Sequence, residues 1–211
     1  MEIPPAAGRV LDAGCGSGGN LGAYTRFGPV MGVDSDVQAL DHARGRGFQG
    51  AAAASLLALP FRANAFDLTC ATDVIEHVAD DIGALVELRR VTMSGGYLLV
   101  TVPAYQWLWS DGDVQLGHQR RYRAAEIAQR CRAAGWTVVQ SSYFNTALLP
   151  PIAAVRWARR RRSGSFAATE LEQTGPWANR LLRLPMQFEA RLVAAGVRLP
   201  TGVSIVVLCR R

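Results

Sequence analysis

The chain has 211 residues, 49% of them hydrophobic, enough to bury a sizeable core and too apolar for a disordered segment. No run reaches the roughly 18 uninterrupted apolar residues of a membrane span, and the stretch after Met1 lacks the basic and apolar segments of a signal peptide. The formal charge of +6 is carried by arginine alone: with no lysine among the 23 basic residues, Schiff-base chemistry and a lysine-dependent phosphate loop are excluded.

The first element, "RVLDAG", reads as a short buried strand ending in a glycine loop in which Gly14, Gly16 and Gly19 satisfy G-x-G-x-x-G. Ser17 to Phe27 reads as a helix. "PVMGVD" is a second strand closed by Asp34, and Ser35 or Asp36 can cap the helix that runs to about Arg44. "FQGAAAAS" is a third strand and "AFDLTCAT" a fourth. "DIGALVELRRV" has helical spacing, with Asp80 and Asp81 suited to its start. Gly95-Gly96 turn into the strand "YLLVTV", which Pro103 ends. Up to Val102 there are 7 arginines against 11 acids, and from Pro103 onward 16 against 6, so the two halves carry −4 and +10. The second half should present a basic surface.

Pro103 to Tyr122 reads as a loop rich in Trp, Gly and Asp. "AAEIAQRCRAA" is a helix ended by Gly135, "WTVVQSSYF" a sixth strand and "GVSIVVLCR" a seventh. Between the last two, residues 145–200 carry helical Leu/Arg spacing bent at Pro185 and the basic run Arg159 to Arg162. This insertion reads as a lid over a hydrophobic acceptor, as a patch resting on an anionic membrane, or as a solvated basic face over an ordinary core helix. Nucleic acid ranks below these partners, because few aromatics interleave the arginines. Strands alternating with helices predict an α/β fold with a Rossmann-like sheet, organised as a single domain over residues 1–211. Cys15, Cys70, Cys131 and Cys209 fit no metal knuckle or redox pair and read as reduced thiols of a cytoplasmic protein, Cys70 and Cys209 inside strands.

Asp12 selects the ligand. A dinucleotide loop lays a pyrophosphate against backbone N–H groups, and a carboxylate two residues before the first glycine would repel it. It suits a cation, and S-adenosylmethionine has an ammonium, a sulfonium and no phosphate. Asp34, 22 residues on, can accept both ribose hydroxyls; its alternative role is as a helix cap.

"VLDAGCGSG", "GVDSD", "LALPF", "FDLTCATDVIEHV" and "GGYLLVTVP" stand in the order and at the spacing of class I S-adenosylmethionine-dependent methyltransferases. From Arg9 to Pro103 the chain resembles this family, and most nearly the subgroup (methyltransferase type 11) that includes the ubiquinone-biosynthesis O-methyltransferases. The resemblance implies sheet order 3-2-1-4-5-7-6 with strand 7 antiparallel, S-adenosylmethionine as cofactor and S-adenosylhomocysteine as product. It implies that Asp12, Ala13, Gly14 and Gly16 line the methionine and ribose side, that Asp34 binds the ribose, and that Ser35 borders the adenine. Thr72 and Asp73 would face the methionine part, and Leu56 would pack on the purine. Family members often carry an acid where this chain has Ser55, which implies weaker contact with the adenine amino group. Only eight residues precede Arg9, where relatives often have a covering helix, so the pocket is more open there or the native start lies upstream.

For the chemistry, His118 in "GHQRRY" is the first candidate base, with Arg120 and Arg121 placed to grip a carboxylate or phosphate. His77 is the second, in the acid-x-x-Glu-His set of Asp73, Glu76 and His77, which in the resembling O-methyltransferases can hold a divalent cation. That turn equally reads as one that only borders the cofactor, and no metal ligand is assigned. Trp107 and Trp109 form one face of an acceptor pocket or anchor a lid. The reading is O-methylation of a small-molecule, lipid-like or glycan metabolite, in secondary metabolism. Its rivals are N- or C-methylation on the same fold and a non-catalytic partner protein that binds the cofactor. The sequence names neither the acceptor nor the oligomeric state.

Overall fold

The computed structural model describes residues 8–46, 48, 50–161 and 176–211. Short runs of apolar residues make strands that are buried on both faces, as a parallel sheet covered by helices requires. They are β1 (Val10–Ala13), β2 (Val30–Asp34), β3 (Ala51–Ala53), β4 (Phe66–Thr72), β5 (Thr92–Pro103), β6 (Thr137–Phe144) and β7 (Ser204–Arg210). The sheet order is β3-β2-β1-β4-β5-β7-β6. β1 to β5 are parallel, and β7 runs antiparallel between β5 and β6. This is the Rossmann-like arrangement expected. Its direction of winding reverses between β1 and β4, which opens a crevice at the carboxyl ends of those strands.

The helices are α1 (Leu21–Tyr24), α2 (Val37–Gly45), α3 (Asp81–Val91), α4 (Asp111–Gln115), α5 (Ala124–Ala133), α6 (Leu149–Arg161) and α7 (Pro176–Ala194). α3 has its expected bounds, because its apolar stripe of Ala84, Leu85, Leu88 and Val91 is fully buried and Asp80 caps it by accepting from the Gly83 N–H. Asp36, not Ser35, caps α2. Four elements differ from the sequence reading, one being α4, a short helix inside the stretch from Pro103 to Tyr122 that reads as a loop. The helix expected from Ser17 begins only at Leu21, since the glycine turns run through Gly18, and a 3-10 turn at Thr25–Phe27 finishes it. β3 shrinks to three residues, in keeping with the low strand preference of alanine. β5 starts early, at Thr92, and absorbs Gly95 and Gly96 at an irregular register against β4.

The main core joins the sheet, through Leu11, Leu98, Val100 and Ile205, to α3 through Leu85 and Leu88 and to α5 through Ile127. All four cysteines are free and buried, Cys70 in β4 and Cys209 in β7. Between β6 and β7 the expected insertion is helical, and α7 runs through Pro185. Gln140 in β6 donates to the Val193 carbonyl, and Glu189 accepts from Thr146 and Ala147, which ties α7 to the sheet edge. The side chains of Arg159 to Arg162, on which the membrane reading rests, lie outside the described residues. Among the described residues no helix is long and apolar enough to cross a membrane.

Candidate active site

β1 delivers Asp12 and the glycine loop to the crevice. The loop turns back because Gly14 and Cys15 both donate to the Val33 carbonyl, at 2.8 and 3.0 Å. Gly14 has φ +81°, and a Cβ there would lie 2.4 Å from the Val74 side chain, so only glycine fits. Gly16, at φ +49°, faces open space, which leaves its backbone approachable by a ligand.

Asp12 is fully buried, and neither carboxylate oxygen has a hydrogen-bond partner. Burial, reinforced by the nearby Asp34 charge, pushes its pKa up to about 7. An orphaned buried carboxylate is costly unless a cation completes it. Asp34, by contrast, already accepts from the Gly16 and Asp36 N–H groups at 2.8 and 2.9 Å. A carboxylate has about four lone-pair positions, so both its oxygens retain acceptor capacity.

The remaining cofactor candidates divide. Thr72 ends β4 with its hydroxyl accepting from Asn20 and Tyr24, and Asp73 follows with a positive φ of 51°. Ser55 is exposed, and its Oγ accepts from the Leu57 N–H. Its loop is held by Glu87, which accepts from Leu59, and by Arg90, which donates to the Leu59 and Phe61 carbonyls. Leu56 is in the main core, Ala13 is fully buried and Ser35 is exposed. Ala13 therefore offers a ligand its backbone only.

At the other end of the crevice the loop after β5 docks on the turn after β4. The Gln119 N–H donates to the Glu76 carbonyl and its side chain to the His77 carbonyl, both at 2.9 Å. This brings His118 against His77, ring centroids 4.7 Å apart and edge to face. His118 Nδ1 lies 2.8 Å from Asp113 Oδ1, and its Nε2 points toward Glu76, 3.9 Å from Oε1. Glu76 is fully buried with both oxygens lacking a hydrogen bond, and burial pushes its pKa up to about 8. His77 is pulled below the usual imidazole value by burial and by the His118 charge. Burial works against the Asp113 charge, yet hydrogen bonds from Arg121 and His118 outweigh it and hold the carboxyl below the usual range. Asp113 is thus ionised, so His118 Nδ1 must donate to it, and the lone pair of the neutral ring sits on Nε2.

One sequence expectation is corrected here. Arg120 and Arg121 are not poised for an external anion. Arg121 is paired with Asp113 at 2.7 Å, and Arg120 with Asp81 at 3.1 Å. Asp81 also accepts from Arg130 and from the buried Tyr122 hydroxyl. Trp107 lines a cleft whose other aromatic wall is Trp157 of α6. Asp113 and Trp157 escaped the sequence reading. The Ser-x-x-Asp spacing of a capping box marked Asp113, and that box is formed with Ser110, but nothing local marked its partner His118.

A carboxyl-end crevice with a glycine loop and two strand-end carboxylates defines a Rossmann-like nucleoside-binding enzyme. Known proteins narrow the class. A family model described as "Methyltransferase domain" matches residues 11–100. A Mycolicibacterium smegmatis protein named "Probable S-adenosylmethionine-dependent methyltransferase" is 30% identical over 185 residues, 83% of this chain and 70% of that one. An uncharacterized methyltransferase of Schizosaccharomyces pombe is 33% identical over 108 residues, 43% of this chain, and the match spans 38% of the relative's length. Among solved structures, the Haemonchus contortus phosphoethanolamine N-methyltransferase 2 in complex with S-adenosyl-L-methionine shares the fold, with TM-score 0.63 and 19% identity over 99% of this chain and 50% of that one. The chain belongs to the S-adenosylmethionine-dependent methyltransferases, and S-adenosylmethionine is its cofactor. The residues fit that group: the partnerless Asp12 carboxylate suits its cationic methionine end, and the open face of Gly16 leaves room for it.

Proposed function

We propose that the protein moves a methyl group from S-adenosylmethionine to a hydroxyl of a small or lipid-like acceptor, with His118 as general base. The observation that carries this reading is the Asp113–His118 hydrogen bond, 2.8 Å long, which turns Nε2 inward toward Glu76. Asp12 holds the methionine ammonium, Asp34 the ribose, and Gly14 and Gly16 let the backbone pass close. The cofactor supplies an electrophilic methyl on a sulfonium. Held by Asp12 and Asp34, that sulfonium would give up its methyl, leaving as the neutral thioether, to an acceptor oxygen attacking in line, whose proton His118 Nε2 would take. The imidazolium then rests against the Asp113 carboxylate. Most of the rate comes from alignment in a dry site, and the base adds to it.

The test is His118→Gln in a single-turnover assay. Methyl transfer should fall about 10²–10⁴-fold while the affinity for S-adenosylhomocysteine stays unchanged. Retained turnover would favour an amine acceptor, which needs little base. Cofactor binding with no turnover on any acceptor would favour a non-catalytic partner protein. A second reading has one observation behind it: Glu76, His77 and His118 offer ligand atoms all within 4.8 Å of one another. They fit a divalent cation, Glu76 being buried without a hydrogen-bond partner, and such an ion would act as a Lewis acid on the acceptor oxygen. Calorimetric titration with zinc and magnesium, repeated on Glu76→Gln, separates the two.

A further inference from the structure

Asp12, Tyr24, Cys70 and Thr72 share one face of the sheet. Val10, Leu68, Cys70 and Tyr24 form a small core on that side, and Asp12 and Thr72 fall on it by the two-residue alternation of β1 and β4. Asp12 is level with Cys70 in the parallel register, so Thr72 stands diagonally beyond it, at the carboxyl end of β4. α1 covers this face, and its first turn brings two polar side chains to Thr72. Tyr24, buried, donates its hydroxyl to Thr72 Oγ1 at 3.2 Å, and Asn20 Nδ2 donates to the same oxygen at 3.0 Å. Burial pushes the Tyr24 phenol up, which keeps it a donor. Asn20 stands directly before α1 yet makes no side-chain capping bond there. Its amide turns to Thr72 instead.

A hydroxyl has two lone pairs and one proton. Tyr24 and Asn20 occupy both lone pairs, so Thr72 Oγ1 has only its proton left to give, and two incoming hydrogen bonds polarise it. A donor fixed in this way, half-buried beside the crevice, recognises an acceptor. The ligand end that meets Asp12 carries one. The methionine part of S-adenosylmethionine has its ammonium and its carboxylate on the same carbon. Whatever holds the carboxylate must therefore stand close to the group that holds the ammonium. Asp12 feels the negative charge of Asp34 in addition to its burial, and the site arginines Arg120 and Arg121 are paired with Asp81 and Asp113. The carboxylate is left to neutral donors, and Thr72 supplies one on the Asp12 face.

We propose that the Thr72 hydroxyl, oriented by Tyr24 and Asn20, donates to the methionine carboxylate of S-adenosylmethionine. Thr72 then binds the cofactor, and Tyr24 and Asn20 are positioning residues. The proposal rests on the reading that Asp12 holds the ammonium, and it adds the other half of the zwitterion's site. The probes are S-adenosylhomocysteine and its decarboxylated analogue, which keeps the ammonium, each titrated by calorimetry into the full chain and its variants. Thr72→Val keeps the shape and removes the hydroxyl. It should weaken S-adenosylhomocysteine about tenfold and leave the analogue within about twofold of the wild type. Tyr24→Phe removes one of the two bonds that orient the hydroxyl, and should weaken S-adenosylhomocysteine about threefold, again sparing the analogue. Thr72→Ser restores the donor and should bind both ligands as the wild type does. A purely structural threonine would move both affinities together. The proposal is overturned if Thr72→Val and Tyr24→Phe weaken the two ligands alike, or weaken neither. Failure of the ammonium reading looks different: Asp12→Asn would then bind both ligands as tightly as the wild type, whereas that reading requires it to weaken both.

Discussion

The halves of this molecule on either side of Pro103 handle charge in opposite ways. The donor half, with its net charge of −4, leaves Asp12 and Glu76 buried and without hydrogen bonds at the carboxyl ends of the strands. The acceptor half, at +10, matches its site arginines internally, on Asp113 and on Asp81 of the donor half. Net charge alone would send an anion to the second half. The structure teaches that an unfulfilled group, not a plentiful one, marks where a ligand goes. The acidic side is left waiting for a cation, and the basic side has its site arginines paired with carboxylates.

The largest effect should come from the seam between the halves. Asp81 is 2% exposed and takes bonds from Arg120, Tyr122 and Arg130, residues 39 to 49 positions away. Removing one partner of a buried ion network strands the others, at about 3–5 kcal/mol. Asp81→Ala should lower the unfolding free energy by that amount in urea denaturation, and Asp81→Asn, which keeps an acceptor for Tyr122, by less. A loss near zero would mean that the arginines of the acceptor half are not internally satisfied, and the contrast would fail.

Next in size is the waiting carboxylate. The Asp12 carboxyl has a folded pKa near 7 against an ordinary value of 3.8. Its stability contribution is therefore present below about pH 4 and lost as pH rises through 7. The cofactor-free protein should lose stability over that window, and Asp12→Asn should flatten the loss. Cofactor binding has the opposite sign, because the ammonium needs the ionised form. Affinity for S-adenosylmethionine should weaken about tenfold for each pH unit below 7. At pH 7.5 Asp12→Asn should bind about 30-fold more weakly, a cost of about 2 kcal/mol. Calorimetry for affinity and thermal unfolding for stability check both. A variant that loses stability as well as affinity would show Asp12 already partnered.

How much of this was legible in the sequence follows from the range of each interaction. α3 is readable because its apolar spacing and its Asp80 cap lie within a single stretch. Asp12 and Asp34 are readable because strand ends and a glycine loop are local signals. The strand order came with the family resemblance, since no local pattern specifies that β7 inserts between β5 and β6. The acceptor side was least legible. "RRY" looks like an anion clamp until topology brings Asp81 and Asp113 against Arg120 and Arg121. Trp107 and Trp157, 50 residues apart in the chain, come to line one cleft only through the fold.

The smallest effect tests how far the donor half leaves a second contact unmade. Ser55 stands where relatives in the resemblance carry an acid, and its Oγ is occupied by the Leu57 N–H at 3.1 Å. A carboxylate at this exposed position can keep that bond with one oxygen and offer the other to the adenine amino group. Hydrogen bonds to charged acceptors contribute about 1 kcal/mol more than those to neutral ones. Ser55→Asp should therefore tighten S-adenosylmethionine about fivefold by calorimetry, with little change in stability, since the side chain is solvated. An unchanged affinity would mean that the adenine does not lie against this loop, and that Asp12 alone carries the electrostatic difference between the halves.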